Sequence, residues 1–417
     1  MLKQPTRLEL PQRPRILVIT LRRLGDVLLA TPLIRSIRRG FGDATLDVLV
    51  FRGSDAILSG NPDIDRIMTV AERPSLRETL ALVRRLFRRY DLAVCTQPGD
   101  RPTFFAMLAG RRRIGLVPRP GTTGYGWKRH AHHVAIIPEP ETHRVTQLMA
   151  LCDALGLAPN AEIVCPADPD NCGPPSPEPY AVLHANPFYQ YKRWTDAGWR
   201  AIAAGLAERG LSIIATEGPD PAERAYLDRV WDRDGPPVRR MRLGWPQLAT
   251  LLRRARVYVG PDTSTTHLAA ATGCPTIALY GPTSPRLIGP WPAGGLARPW
   301  DPSGTIQHRG NVWVVQNPQP CLPCEKLGCE GHLASFSRCL DELTSGQVLA
   351  AIDQALKCDL VAGVHRACCG SNPSPQGRVV ERSETGWGTG HIPPHPAAVV
   401  ASTPVRGGLR SLLRAPE

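Results

Sequence analysis

Three short segments of this 417-residue chain carry side chains whose types and order suit group transfer from a phosphate leaving group. The first is the apolar run Ile16–Thr20, followed by Arg22-Arg23-Leu24-Gly25-Asp26. Gly25 permits a tight turn, and Asp26 falls at the start of the next helix. In doubly wound sheets ligands bind beyond the carboxyl ends of the strands, so a carboxylate here could take a proton from an attacking hydroxyl. It could equally cap the helix, where its charge meets the positive end of the peptide dipoles. Arg22 and Arg23 could bind phosphate or carboxylate groups of a second substrate, or form a solvated basic turn. The second segment runs from Tyr180-Ala-Val-Leu-His184 through Asn186 to Lys192-Arg193-Trp194, with Thr195 placed to cap a helix. A lysine between a strand end and a helix start suits a diphosphate, although exposed lysines are also common there. The third segment is Gly260-Pro261-Asp262-Thr263-Ser264, opening an Ala-rich helix that contains His267 and stops at Gly273-Cys274-Pro275. Free N–H groups and hydroxyls at such a helix start form an anion cradle, and Asp262 could accept from sugar hydroxyls. No Gly-x-Gly-x-x-Gly or Walker lysine motif accompanies these segments, which argues against ordinary NAD and P-loop enzymes.

The elements that must position them alternate. Apolar runs at Ile16–Thr20, Leu46–Phe51, Leu92–Thr96 and Val134–Ile137 read as strands of a first series. Those at Tyr180–His184, Leu211–Thr216, Val257–Gly260, Thr276–Tyr280 and Val312–Gln316 read as a second. Amphipathic stretches at 25–39, 75–89, 143–156, 195–209, 221–233, 246–255, 264–272 and about 344–357 read as helices. Buried strands alternating with helices imply an α/β chain with two doubly wound, parallel-sheet domains. The expected boundaries are 1–165, a Pro-rich linker at 166–179, a second domain at 180–357, and a peripheral or disordered tail at 358–417.

Composition bounds the rest. Apolar residues make up 42%, enough for sizeable cores, and the net charge is +13. Residues 1–165 hold 25 Lys+Arg against 15 Asp+Glu, so the basic excess sits in the first half. That suggests an anionic partner. No zinc-finger, RNA-recognition or helix-turn-helix signature supports nucleic acid, so none is expected. No apolar run is long enough to cross a membrane. The N-terminus shows no secretory signal, and the expected location is the cytoplasm. Twelve Cys are too few for a disulfide scaffold of this length. Cys321, Cys324, Cys329 and Cys339 could hold a structural zinc, pair as disulfides or remain thiols, and the spacing is not that of a standard finger. Cys368-Cys369 offers no readable chemistry.

In this order the three segments resemble family 9 glycosyltransferases, the heptosyltransferases of bacterial lipopolysaccharide synthesis. The resemblance covers roughly 14–357. Leu24-Gly25-Asp26-Val27 with Thr31-Pro32, then Lys192-Arg193-Trp194, then Gly260-Pro261-Asp262-Thr263 through His267-Leu268-Ala269-Ala270 and Tyr280-Gly281-Pro282-Thr283 carry it. It implies a GT-B fold, two Rossmann-like domains facing across a cleft, with the acceptor mainly on the first and the nucleotide-sugar on the second. It implies inverting transfer of a heptose from ADP-heptose to a lipopolysaccharide-core or related glycolipid acceptor, without a catalytic metal. Asp26 then matches the general base. Lys192 matches the residue that meets the donor phosphates. Asp262, Thr263, Ser264 and His267 match the donor loop, with Ser264 where glycine is commonest in the family. Glu217, Asp220 and Glu223 compete for a place near the nucleoside, and Arg22 and Arg23, beside Asp26, could bind phosphate or carboxylate groups of the acceptor or stay a solvated basic turn. Such an enzyme would work in the cytoplasm, in peripheral contact with the inner membrane. Two rivals share the scaffold: a nucleotide-sugar epimerase and a non-catalytic nucleotide-sugar-binding protein.

Overall fold

The computed structural model describes residues 8–167, 179–231 and 235–361. Most of the Pro-rich stretch 166–179 lies outside the described residues, as does the tail beyond 361 with Cys368 and Cys369.

The first sheet has six parallel strands: β1 (Arg15–Thr20), β2 (Thr45–Phe51), β3 (Arg66–Val70), β4 (Tyr90–Cys95), β5 (Gly110–Leu116) and β6 (Val134–Ile136). Their order is β3-β2-β1-β4-β5-β6. The register sets Ile16 opposite both Leu46 and Leu92. The second sheet has seven: β7 (Tyr180–Leu183), β8 (Ser212–Thr216), β9 (Val238–Met241), β10 (Val257–Pro261), β11 (Thr276–Leu279), β12 (Ile306–Arg309) and β13 (Val312–Val315). They run β12-β13-β11-β10-β7-β8-β9, all parallel except the β12–β13 pair. Central strands such as β1 and β10 are buried along almost their whole length, which is why they read as unbroken apolar runs.

The helices of the first half are α1 (Leu24–Leu28), α2 (Thr31–Gly40), α3 (Leu76–Leu86), α4 (Asp100–Ala109), α5 (Tyr125–Ala131) and α6 (Arg144–Leu155). Those of the second are α7 (Asp196–Glu208), α8 (Pro221–Trp231), α9 (Trp245–Arg254), α10 (Ser264–Ala271), α11 (Pro285–Ile288), α12 (Arg338–Asp341) and α13 (Ser345–Val361). Ile16 and Val18 pack with α2 and α6, whereas Leu17 and Ile19 pack with α3 and α4, so successive β1 residues serve opposite sheet faces. The α2–α6 layer continues into Leu248, Leu252 and Leu268 of α9 and α10 as one apolar cluster, which ties the two sheets' layers together.

Several elements differ from the sequence reading. The stretch 25–39 is two helices, because Pro32 lacks an N–H and starts a new helix, with the Thr31 hydroxyl bonded to Leu28 O at 2.7 Å. Helix α13 runs to Val361, past its expected end at 357. Strands β3, β5, β9 and β12 and helices α4 and α5 carry too many exposed or charged residues to show a clean period. β5, Gly-Arg-Arg-Arg-Ile-Gly-Leu, is buried only over its last three residues and at Gly110.

Candidate active site

Both sheets reverse their strand order beside the first strand of each series, between β1 and β4 and between β7 and β10. A crevice opens at such switch points, at the carboxyl ends of the strands. Asp26 follows β1, Lys192 follows β7 and Asp262 follows β10, so the three chemical segments all emerge there.

Helices α1 and α10 pack against each other. A Cβ on Gly25 would stand 3.3 Å from His267 Cδ2 and 3.4 Å from Ser264 Oγ. Such a Cβ would sit tighter than ordinary packing, so His267 or Ser264 would have to yield by a few tenths of an ångström, and the bare glycine lets α1 and α10 approach without that shift. The contact brings Asp26 of one sheet to Ser264 and His267 of the other.

The Asp26 carboxylate is gripped by the Arg22 guanidinium, with both of its oxygens 3.2 Å from Arg22 nitrogens. Arg144 Nε lies 3.9 Å from Asp26 Oδ1. Arg144 is almost buried, donates to Thr96 O at 2.7 Å, and has no partner for its Nε among the described residues. Burial lowers its pKa to about 10, opposed by the Asp26 charge. Arg23 turns away and lies over the rings of Tyr189, 4.6 Å from the centroid, and Phe188, at 5.5 Å. It therefore bridges the β1 turn to the loop before Lys192.

Lys192 ends a short 3-10 turn, and its ammonium donates to the Asp262 carboxylate and, at 3.5 Å, to Asp262 O. Asp262 is buried. Burial would raise its pKa, but Lys192 first and then His267 hold it below the usual carboxylate value. The Tyr280 hydroxyl donates to Ile288 O at 2.9 Å, and Asp262 Oδ1 lies 3.4 Å from the same hydroxyl oxygen. His267 Nε2 is 3.9 Å from Asp262 Oδ1, too far for a hydrogen bond. Burial lowers the His267 pKa, with Lys192 adding to it, while Asp262 and Asp26 oppose it. Thr263 caps α10 through the Thr266 N–H. Thr266 in turn bonds Pro261 O and Tyr258 OH, which fixes the loop that presents Asp262. The first N–H groups of α10 have no carbonyl inside the helix to meet, so they form the anion-binding end.

The three acidic candidates separate. Glu217 is held by Arg224 at 3.1 Å and Arg240 at 2.9 Å. Asp220 is exposed and accepts the Ala222 N–H at the start of α8. Glu223 bonds the Gly218 backbone and the Asn186 side chain at the ends of β8 and β7, and burial raises its pKa. Arg144 carried no motif signal, Glu223 only its place after β8, and Tyr280 a place in the last matching segment but no assigned role.

A second bridge is His143, a buried residue capping α6. Its Nδ1 accepts the Val145 N–H at 3.1 Å, so Nε2 carries the proton and donates to Gly289 O at 2.8 Å. The ring lies 4.8 Å from that of Trp291. Burial drives its pKa down to about 4. Protonation would cost the acceptor at Nδ1. The unfolded chain binds the proton below about 6.5 and the folded chain only below about 4. Stability supplied by neutral His143 is therefore full above pH 6.5 and lost as the pH falls toward 4. Urea midpoints between pH 7 and pH 4.5 should fall less for His143→Asn, which keeps a capping acceptor, than for the parent chain. Equal slopes would overturn this account.

Cys321, Cys324, Cys329 and Cys339 follow β13 as free thiols. Burial pushes the Cys339 thiol up to about 12, with further help from Cys324, Cys329 and Cys321. Among the described residues no group of three or more His, Cys, Asp or Glu stands where it could hold a metal ion.

Comparisons with known proteins give the family and the fold. The sequence profile of glycosyltransferase family 9 (heptosyltransferase) matches residues 79–295. The chain is 27% identical over 355 residues to lipopolysaccharide heptosyltransferase 1 of Pseudomonas aeruginosa, covering 80% of this chain and 93% of the relative. It is 25% identical over 288 residues to lipopolysaccharide heptosyltransferase 3 of Escherichia coli, covering 64% of this chain and 83% of the relative. Among solved structures, a family 9 glycosyl transferase from Veillonella parvula superposes with a TM-score of 0.69 at 18% identity, covering 84% of this chain and 98% of that one. The E. coli heptosyltransferase WaaC with ADP superposes at 0.63 with 21% identity, covering 82% and 99%. The fold is GT-B, as the resemblance implied, and the chain belongs to glycosyltransferase family 9.

Proposed function

We propose that this glycosyltransferase moves a heptose from ADP-heptose to a lipopolysaccharide-core or related glycolipid acceptor, with inversion. The observation that carries the reading is the approach of α1 to α10 at Gly25, which puts Asp26 beside the Lys192–Asp262–His267 cluster. In the proposed step Asp26 takes the proton from the acceptor hydroxyl as its oxygen bonds to the anomeric carbon. The bond from that carbon to the diphosphate oxygen breaks at the same time. Lys192 and the first N–H groups of α10 face the charge that grows on the leaving diphosphate. For the nucleoside the reading favours Glu223 over Glu217 and Asp220, supported by its bonds to Gly218 and Asn186 just beyond β8 and β7. Arg22 and Arg144 surround the base and suit an anionic acceptor.

The cationic charge for the leaving group comes from the chain itself, so no catalytic metal is required. With ADP-heptose and a lipopolysaccharide-core acceptor lacking one heptose, transfer should survive EDTA treatment within about twofold, where a catalytic metal supplies several kcal/mol. Loss of activity restored by added metal would refute the metal-free step. Selective turnover of a UDP- or GDP-linked sugar instead would keep the transferase and replace the donor. Donor binding without transfer to any acceptor would favour the non-catalytic reading. Metal content of the purified chain separates a structural zinc at Cys321, Cys324, Cys329 and Cys339 from free thiols.

A further inference from the structure

We propose that the face made by α3, α4 and α5 docks on an anionic lipid bilayer. Among the described residues nine large apolar side chains are exposed, and six of them lie on or next to these three helices: Leu76, Leu80, Phe87, Phe104, Met107 and Trp127. Leu76 is 85% exposed and Phe87 57%. They are not the outer fringe of the core. On α3 the core is met by Leu82 and Leu86, whereas Leu76, Leu80 and Phe87 recur at i, i+4 and i+11. At 100° per residue those three fall within about 40° of one another, roughly a third of a turn from the core stripe. The helix has two apolar stripes and only one is buried. On α4, Phe104 and Met107 sit three residues apart and face outward, while Phe105, Ala106 and Ala109 face the sheet.

The three helices form one platform. The Arg88 N–H donates to Leu108 O at 2.8 Å, joining the end of α3 to the end of α4. Arg101 donates to Ala71 O and Glu72 O at 2.6 and 2.7 Å, joining the start of α4 to the segment before α3. Lys128 of α5 pairs with Asp100 of α4 at 2.7 Å. A capping box of Ser75 and Glu78 secures the first turn of α3, so the exposed stripe belongs to an ordered helix.

Charge selects the occupant. Arg77, Arg84, Arg85, Arg88, Arg111 and Arg129, on or next to the same three helices, are exposed as well. The acids on these helices are both engaged, Glu78 by Arg52 at 2.8 Å and Asp100 by Lys128. Arginine stems lie along apolar surface with their heads at lipid phosphates, and tryptophan favours the headgroup level. A second copy seated on the same face would set arginines against arginines. A nucleic acid would leave the Leu, Phe and Met stripes unused. Helices α3, α4 and α5 follow β3, β4 and β5, so their first turns stand at the carboxyl edge of the sheet, the edge that carries Asp26. A bilayer along this face would meet that edge at Leu76 and Leu80, while Arg84, Phe87 and Arg88 stand at the far end of α3. The inference rests on the glycolipid reading only for the purpose of docking; docking itself is measured without transfer.

The test is flotation of the full-length chain with vesicles of phosphatidylcholine alone, and of two parts phosphatidylcholine to one part phosphatidylglycerol. Binding to the anionic vesicles should be at least about tenfold tighter and should weaken with salt. Phe87→Ser with Phe104→Ser and Met107→Ser should lower it at least about tenfold at an unchanged Tm, and so should Arg84→Glu with Arg88→Glu. Turnover of a soluble, delipidated acceptor should stay at the parent rate in both variants. No selective binding, or binding indifferent to both variants, would overturn the proposal. So would a self-association that Phe104→Ser abolishes, or nucleic-acid binding that matches the vesicle affinity. If vesicle binding behaves as expected while ADP-heptose is never turned over, the donor reading fails and the docking surface stands.

Discussion

Asp26→Asn should lower kcat roughly a thousandfold while leaving ADP-heptose affinity, measured by calorimetry, unchanged. A positioned base contributes about 10²- to 10⁴-fold to a proton transfer. The amide preserves size and the start of α1 but cannot accept the acceptor's proton. Asp26 meets Arg22 and Arg144 of its own half and touches the donor cluster only through the α1–α10 contact, so the donor site should not register the change. The alternative, that Asp26 is helix punctuation, makes a different forecast. Its first-turn position would then matter to stability by about 0.3–1 kcal/mol and to kcat hardly at all. Full transfer by Asp26→Asn with a shifted Tm would therefore remove Asp26 from the chemistry and leave Arg22 as a structural partner.

Lys192→Ala should lower kcat by about 10²–10³, the usual effect of deleting one group aimed at developing negative charge. It should also weaken donor binding, because a diphosphate is an anion before it leaves. Here the structure adds a second consequence. The Lys192 ammonium is the main cation on Asp262, which is buried against Tyr280 and His267. Removing one member of a buried ion pair strands the other, at a cost of up to about 3–5 kcal/mol. Asp262 would escape that cost by taking up a proton, so the variant should be relatively more stable at low pH than at neutral pH. The double change Lys192→Ala with Asp262→Asn should recover stability and not activity. Recovery of both would mean that Lys192 only neutralises Asp262 and never meets the donor. The competition also explains how one lysine serves two anions: in the free chain it rests on Asp262, and a bound diphosphate would share it.

The parallel α/β plan was legible because buried parallel strands are continuous apolar runs, and β1, β7, β10 and β11 show them plainly. Thr195 was legible as a cap because a side-chain oxygen one residue before a helix has little else to bond, and it accepts the Gly198 N–H of the first turn. Helix α4 was not legible, and the reason is instructive. Phe104 and Met107 point to solvent while Phe105 and Ala106 point to the sheet, so apolar residues surround the helix and the period disappears. Helix α3 also has a second, exposed apolar stripe, yet the stretch 75–89 still read as a helix because Arg77, Glu78, Arg84 and Arg85 keep the rest of its surface polar.

The positions of Asp26, Lys192 and Asp262 along the chain were set by sequence, since each follows a strand and precedes a helix, and local chemistry suffices to place such a turn. Their meeting was not, because it depends on the approach of two helices more than two hundred residues apart, permitted by the missing side chain of Gly25. Nor could local pattern separate Glu217, Asp220 and Glu223, three carboxylates within one loop and helix start. Arg224 and Arg240 claim the first, a backbone N–H claims the second, and Asn186 from a neighbouring strand end meets the third. Arg144 and His143 are single residues without a motif, and both owe their character to burial: one is a cation with an unbonded Nε facing Asp26, the other an imidazole kept neutral between α6 and Gly289. Sequence determines which residues stand at the strand ends, since that follows from short-range periodicity and turn chemistry. Tertiary structure decides which of them meet and in what charge state, since both depend on desolvation and on partners that only the folded chain supplies.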